Sequence, residues 1–359
     1  MRKLNVLAMV VTVACAQDAF AYRYYTCQDK KYDIDPTPTF EAGSNSFEGQ
    51  NRRDALLTAG QRWNQIRSKY SMGVSWNHGV SSTNYTDEVW YSDDNGLMDG
   101  SPAKAIRKKA CFLWGGEIYA VDVVMNNDVL WMNYDGRKSS TTWGGEYRSA
   151  QTTLLHEIGH SLGLAHSNTR YNIMGSDWNV VTSNDDKFRT YAAEDASKGA
   201  VYLHGSQDAA PDLSVTAIKH LGADGEYSTH TWTRVLGAED DYWSSTDQER
   251  VFHVRRGINY DFEFTYENNG SSPNTLSVKV DYFVSTNRNI TQGDTKIGST
   301  TLNLGFNEPA TMAKTLNIPT NLEVDRKYYI GVFVDADNTY EGEISGKNNY
   351  AYIPVLVME

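Results

Sequence analysis

The sequence predicts two domains of different structural class, an α+β domain followed by an all-β sandwich. Apolar residues recur at helical spacing from residue 51 onward, and a second helical pattern surrounds three histidines within residues 155–174. After residue 211 the helical period disappears, and short alternating runs such as Y260-D-F-E-F-T-Y are separated by turn residues. About 150 residues of this pattern are typical of a two-sheet sandwich. The change of pattern places the domain boundary near residues 206–211.

The first 21 residues have the pattern of a secretory signal peptide. Two basic residues at positions 2 and 3 precede an apolar run over 4–16, and A19-F-A21 offers a cleavage site with small residues. No later stretch approaches the length of a membrane span. We therefore expect an exported, soluble protein that is secreted or periplasmic. Lipidation at Cys15 is the alternative, although Thr12 is a poor residue for such a site.

The chain is acidic, with a formal net charge of -12 at pH 7. Because like charges repel, an acidic surface disfavours nucleic acid or an anionic membrane as the main partner. The charge is compatible with calcium-containing or saline surroundings.

The sequence around the three histidines has the spacing of a metal site. His156 and His160 are four residues apart, so on a helix both imidazoles lie on one face and reach one ion. Ten residues at about 100° each would carry His166 about 80° away from His156 if the helix continued. Gly163 lies where a helix can end in the left-handed conformation, which lets His166 return as a third ligand. Three nitrogens on a tetrahedral ion leave one position open, as in catalytic zinc sites.

Glu157 directly follows the first of these histidines. A carboxylate at this position lies beside the ion rather than on it. It can take a proton from a water molecule without occupying a coordination position. Glu157 is therefore the candidate general base.

The motif H156-E-I-G-H160-S-L-G163-L-A-H166, followed by N-I-M174-G, resembles that of the metzincin metallopeptidases. The serine after the third histidine is similar to the matrixin branch. The resemblance implies zinc on His156, His160 and His166, Glu157 as the general base, and Met174 in a tight Met-turn beneath the metal. It also implies a catalytic domain over residues 22–206 with a twisted mixed sheet and three main helices.

Two departures from the family follow Met174. Ser176 stands where some metzincin branches have a tyrosine that ligates zinc. Gly175 and Ser176 also replace the tyrosine-proline usual after a matrixin methionine. The pocket wall expected over residues 176–190 therefore cannot be copied from that family. A last helix is expected over residues 190–205.

Cys27 and Cys111 are the two cysteines that remain once the signal peptide is removed. An even pair in an oxidising compartment predicts one disulfide, which would tie the N-terminal segment to the domain. The alternative is that Cys27 is a latency thiol that reaches the zinc. The sequence Y-T-C-Q-D-K does not resemble the matrixin switch motif, which favours the disulfide.

Two stretches before the zinc motif are expected to be strands. T86-D-E-V-W-Y-S-D alternates polar and apolar residues, and by resemblance it would be the sheet edge beside the cleft, paired with the substrate. The alternative is an exposed strand without such a role. I118-Y-A-V-D-V-V-M is similar to the matrixin strand that precedes the catalytic helix. Four polar residues in and after it either cap the strand end or hold calcium: Asp122, Asn126, Asn127 and Asp128.

Residues 211–359 resemble a bacterial immunoglobulin-like domain of the CARDB (cell-adhesion-related) class. The resemblance lies in P211-D-L-S-V and in D335-A-D-N-T-Y-E-G. It implies a fold rather than a ligand, so a cell-surface or glycan target stays open, and we expect a monomer. One loop is either a solvated turn or a calcium site, and its acidic residues are Asp335, Asp337, Glu341 and Glu343.

These features together predict a secreted zinc-dependent endopeptidase that hydrolyses peptide bonds in proteins. Two other classes stay open, a surface-adhesion protein with a vestigial zinc domain and a zinc hydrolase of cell-wall amide bonds. The intact Glu157 counts against the first, because a purely structural site needs no base. A cleft edge that pairs with peptide backbone counts against the second. The cleavage preference and the physiological substrate do not follow from the sequence.

Overall fold

The computed structural model describes residues 22–359 except for 49, 133–146, 176–181, 185–186, 221–231, 245–248, 306–307, 341–342 and 344–345. The predicted signal peptide, Ser176 and Glu341 therefore lie outside the described residues, as does much of the expected pocket wall. Within the described ranges, no helix is both long enough and apolar enough to cross a membrane.

The N-terminal part of the chain combines helices with a mixed sheet. Its described helices are α1 (Gln50–Asn64), α2 (Asn95–Met98), α3 (Ala150–Ser161) and α4 (Ala193–His204). Its described strands are β1 (Arg23–Tyr24), β2 (Thr26–Cys27), β3 (Lys30–Ile34), β4 (Thr39–Gly43), β5 (Gly73–His78), β6 (Glu88–Ser92), β7 (Ala103–Phe112), β8 (Gly115–Asn126), β9 (Leu130–Met132), β10 (Tyr147–Ser149), β11 (Leu164–Ala165), β12 (Thr182–Asn184) and β13 (Lys187–Arg189). Three of these described helices, α1, α3 and α4, have 15, 12 and 12 residues.

The main sheet has the strand order β2-β3-β8-β6-β4-β5, and β7 also pairs with β8. The pairs β4–β5, β4–β6 and β6–β8 are parallel. The pair β7–β8 is antiparallel along the whole of β7. The sheet is therefore mixed, as expected.

The predicted identity of the edge strand is wrong. The stretch beginning at T86 forms β6, which lies between β4 and β8. Its residue Glu88 is fully buried and accepts hydrogen bonds from the Ser81 N–H (2.9 Å) and the Asn84 side-chain amide (2.7 Å). One of the polar positions in the alternating pattern is therefore a buried, hydrogen-bonded carboxyl group and does not face solvent. Among the described strands, β7 pairs only with β8 and forms one edge of the sheet, and β5 lies at the other end of the strand order.

Helices α1 and α3 are joined in the core beside this sheet. Trp63 of α1 is fully buried, and its indole N–H donates to the carbonyl of Leu155 in α3 over 2.8 Å. Phe40 and Val123 of the sheet and Leu154 of α3 belong to the same buried cluster. This packing places the histidine-bearing helix firmly against the rest of the domain.

Cys27 and Cys111 form a disulfide, as predicted. The bond joins β2 to the edge strand β7, so the N-terminal segment is attached covalently to the sheet. With its sulfur bonded to Cys111, Cys27 does not have the free thiol that the latency alternative requires.

Replacing both cysteines by serine is expected to lower the free energy of unfolding by about 2–5 kcal/mol. The bond links residues 84 positions apart, and a cross-link of that span restricts the unfolded chain strongly. Chemical denaturation of the two proteins measures the difference, and a reducing agent added to the wild type should reproduce it. A double variant as stable as the wild type would contradict a structural role for the bond.

The C-terminal part consists of two packed sheets. Its described strands are β14 (Leu213–Thr216), β15 (Val235–Leu236), β16 (Asp241–Ser244), β17 (Glu249–Arg255), β18 (Asn259–Asn268), β19 (Leu276–Ser285), β20 (Thr295–Leu304), β21 (Ala310–Asn317), β22 (Arg326–Val334) and β23 (Tyr350–Met358). One sheet has the order β14-β18-β15 with β21 also on β18, and the other has the order β16-β17-β23-β22-β19-β20. Phe262 and Phe264 of one sheet and Val280 of the other are fully buried in a shared core. This is the predicted all-β sandwich.

The side chains considered as calcium ligands near β8 make hydrogen bonds and an ion pair. Asp122 is buried, and its Oδ2 atom lies 2.8 Å from Lys108 Nζ. Burial raises the pKa of Asp122 to about 6. Asn126 Oδ1 accepts the Asp128 N–H over 2.9 Å. Asn127 donates its side-chain amide to Asp93 over 2.8 Å. The contacts of Asn126 and Asn127 lie at the end of β8, where the cap interpretation placed them, whereas Asp122 lies within the strand.

In the described part of the acidic loop, Asp335 and Glu343 accept hydrogen bonds, and Asp335 is buried and not solvated as the turn interpretation expected. Asp335 accepts the N–H groups of Thr339 and Tyr340 over 2.9 and 3.2 Å. Glu343 accepts the N–H of Leu213 over 2.7 Å and so links the loop to the start of the sandwich.

Candidate metal centre

Helix α3 carries the first two histidines. It begins after Ser149, whose hydroxyl oxygen accepts the N–H of Thr152 over 3.2 Å. It ends at Ser161, and Gly163 follows with a φ of 94°, a conformation that glycine adopts without strain. The chain then continues through β11 and brings His166 back toward the helix, as a third ligand requires.

The Nε2 atoms of the three histidines converge on one point. Those of His156 and His160 lie 3.1 and 3.2 Å from that of His166. Nitrogens bound to a tetrahedral zinc ion at about 2.0–2.1 Å are about 3.3–3.4 Å apart, so this donor set fits zinc. The two helix histidines are buried, whereas His166 is exposed. The site therefore has one side that solvent and substrate can reach.

The second ring nitrogens of the helix histidines are held by main-chain carbonyls. His156 Nδ1 donates to the Ile173 carbonyl over 2.6 Å, and His160 Nδ1 donates to the Leu164 carbonyl over 2.8 Å. These bonds leave the Nε2 lone pairs for a metal. Burial, with a smaller effect of His166, lowers the pKa of His156 to about 3, and burial also lowers the pKa of His160. Both rings are thus neutral, as metal ligands must be.

Glu157 is buried next to the histidines. Burial raises its pKa to about 8, while the positive charge of Arg107 and a hydrogen bond from the Ala105 N–H act in the opposite direction. Both of these residues belong to β7. The edge strand therefore provides the groups that favour the ionised form of the candidate base.

Tyr25 packs behind the site, on the side of His160 that faces away from the other histidines. Its hydroxyl oxygen lies 3.3 Å from His160 Nδ1, and the guanidinium carbon of Arg107 lies 3.6 Å from the centre of its ring. Its N–H donates to the Gly163 carbonyl over 2.9 Å, next to the antiparallel pair β1–β11. The N-terminal segment thus braces the loop that joins His160 to His166.

Comparison with known families assigns the region that holds these residues. Residues 46–204 match the model of the matrixin family, Peptidase_M10. This region is matrixin-like. The match includes the three histidines and Glu157 and supports a zinc metallopeptidase. Tyr25 and Cys27 precede the matched range.

No curated protein matches the chain. Similar solved structures include two of the CARDB domain of a Pyrococcus furiosus protein. The crystal structure, in complex with di-metal ions, is 20% identical over 41% of this chain and 88% of that one, with a TM-score of 0.26. The solution NMR structure is 22% identical over 42% and 98%, with a TM-score of 0.26. Catalytically inactive OgpA from Akkermansia muciniphila, in complex with an O-glycopeptide substrate, is 12% identical over 90% and 93%, with a TM-score of 0.25. TM-scores this low do not establish a shared overall fold.

In the matrixin-like domain, Met174 packs against α3 between the two helix histidines. It is buried, and it approaches Gly159 so closely that a Cβ there would collide with its sulfur. Asn172 Oδ1 accepts the Met174 N–H over 2.7 Å, and the Asn172 amide donates to the Ser167 carbonyl over 3.1 Å. We refer to residues 171–174 as the Met-turn segment.

Four residues that shape the site were not singled out from the sequence: Tyr25, Arg107, Gly159 and Asn172. Gly159 carries a usable signal, because a glycine inside a helix is destabilising and calls for a packing reason. No local sequence pattern marks Tyr25, because its partner His160 lies 135 residues further along the chain.

Proposed function

We propose that the chain is an exported zinc-dependent endopeptidase. The observation that carries the proposal is the convergence of three histidine Nε2 atoms on one point, with Glu157 at the next position of the same helix. The three protein nitrogens leave a tetrahedral position open, and such an open position is typical of a catalytic zinc site.

His156, His160 and His166 would hold the ion, which would supply the Lewis acidity that lowers the pKa of water and polarises a carbonyl. Glu157 would accept the proton of the attacking water and pass it to the leaving amine. Arg107 assists this role, because its charge favours the ionised form of Glu157. The carbonyls of Ile173 and Leu164 would keep the two helix histidines oriented throughout.

The substrate would bind along β7. This strand forms one edge of the sheet among the described strands, and its residues Ala105 and Arg107 interact with Glu157. An exposed edge can pair with an extended peptide through main-chain hydrogen bonds. Such pairing favours a protein substrate over a cell-wall amide.

Export is proposed from the leader pattern of residues 1–21. The disulfide between Cys27 and Cys111 is compatible with it, because such bonds persist in oxidising compartments.

Digestion of a proteome-derived peptide library tests the function. We expect cleavage by the chain lacking residues 1–21, loss of cleavage with a zinc chelator, and recovery when zinc is restored. A chain that binds one zinc ion and cuts no peptide would overturn the proposal. Clearing of cell-wall suspensions would then favour the amide hydrolase, and cell binding without any hydrolysis would favour the adhesin.

A further inference from the structure

The sandwich domain contacts the first residue of the Met-turn segment. The Tyr171 N–H donates to the carbonyl oxygen of His220 over 2.9 Å. His220 is held by Thr311, whose N–H donates to His220 Nδ1 over 3.1 Å and whose Oγ1 accepts the His220 N–H over 3.3 Å. Thr311 belongs to β21, which is paired with β18 along its length. A sheet of the sandwich therefore sets the position of the carbonyl that Tyr171 meets.

The third residue of the Met-turn segment is linked to the start of α4. The Ile173 N–H donates to the Ala192 carbonyl over 3.0 Å. Ala192 offers no side-chain cap to the helix, and Ala193 has a φ of 60°, which is unfavourable for a residue with a Cβ. This helix start depends on support from another part of the chain.

Two glutamates at the domain interface give that support. The Glu194 N–H donates to Glu267 Oε1 over 3.2 Å, and Glu194 Oε2 accepts the Asn268 N–H over 2.9 Å. A side chain of the sandwich thus caps α4. The two glutamates are only 1% and 3% exposed. Burial, followed by the charge of Glu194, raises the pKa of Glu267 to about 8.

A buried lysine completes this interface. Lys198 of α4 donates from Nζ to the Gly270 carbonyl in the sandwich over 2.6 Å. Buried polar groups of this kind add little net stability, but they are satisfied in only one arrangement of the surfaces that carry them. The polar groups therefore define how the sandwich sits on α4.

The Met-turn segment also orients a zinc ligand, because the Ile173 carbonyl accepts the hydrogen bond from His156 Nδ1 over 2.6 Å. We propose that the sandwich positions His156 through residues 171–173, with Glu267 and Thr311 as positioning residues. The sandwich is then part of the support of the metal centre and not a separable binding module. The inference rests on the metal site of the proposed function and is independent of the substrate.

The affinity for zinc in the full chain tests this role, measured by competition with a chromophoric chelator. Glu267→Ala removes the cap of α4 and should weaken zinc binding about tenfold, the size of effect seen for groups that orient metal ligands. Glu267→Gln keeps an oxygen acceptor and should stay within twofold of the wild type. Glu323→Ala, at an exposed position of the sandwich, should not change the affinity. Unchanged zinc affinity in Glu267→Ala overturns the proposal.

Amide hydrogen exchange of the Tyr171 N–H provides a second test that does not depend on the fate of Glu267→Ala. We expect slow exchange in the wild type and about tenfold faster exchange in Thr311→Val, with Thr311→Ser close to the wild type. Exchange of Tyr171 in the wild type at the rate of an exposed loop amide would overturn the proposal. If the zinc affinities follow the expected order but no variant, including the wild type, cuts peptides, only the peptidase assignment fails.

Discussion

Glu157→Ala is expected to abolish nearly all peptide hydrolysis while the chain still binds zinc. Glu157 is not one of the three converging nitrogen donors, so its removal leaves the metal ligands in place. Its carboxylate is the group proposed to move the proton from water to the leaving amine. Positioned acid–base groups contribute about 10²–10⁴-fold to rate, and kcat/KM should fall by at least that range. Peptide kinetics and metal analysis of the same sample measure both parts of the prediction.

A matched control is Glu117→Ala, which removes an exposed glutamate of β8. This variant should retain both hydrolysis and zinc. Hydrolysis by Glu157→Ala within tenfold of the wild type would sink the assignment of the base. Loss of zinc in Glu157→Ala would show that the carboxylate supports the metal rather than the proton transfer.

His166→Ala is expected to weaken zinc binding by at least about 100-fold. Loss of a group that only orients a ligand costs 10–100-fold in metal affinity, and the loss of a ligand itself should cost more. His166 is the exposed member of the three, so its removal disturbs the core less than removal of either buried histidine. Competition with a chelator of known affinity measures the change.

His253→Ala serves as the control for this variant, because His253 lies on a sandwich strand and contacts Tyr242. Its zinc affinity should equal that of the wild type. If His166→Ala binds zinc as tightly as His253→Ala, then His166 is not a ligand and the open-site argument for a catalytic zinc fails.

The spacing of the metal motif was informative because it is a local property of the chain. Residues four apart share a helix face whatever surrounds the helix, and a glycine with a φ of 94° can end it in any context. The disulfide could be predicted for a similar reason, since only Cys27 and Cys111 remain to pair after the leader. The sandwich was recognisable from strand alternation and turn residues, which are also local.

The edge of the sheet was not a local property. The alternation in β6 is the same whether a polar side chain meets water or is buried against hydrogen-bond donors of the protein. The Glu88 side chain is buried and accepts hydrogen bonds from Ser81 and Asn84. Which strands lie at the edges depends on pairing between segments far apart in the chain, and among the described strands the edge beside Glu157 is β7.

The sequence by itself determined the candidate metal donors, their spacing and the candidate base, because these follow from the order of residues along one helix and the loop after it. Only the tertiary structure decided what surrounds them: Arg107 near Glu157, Tyr25 behind His160, and the sandwich against the Met-turn segment. Each of these contacts joins segments separated by tens of residues or more, and their meeting depends on packing that no short stretch of sequence encodes.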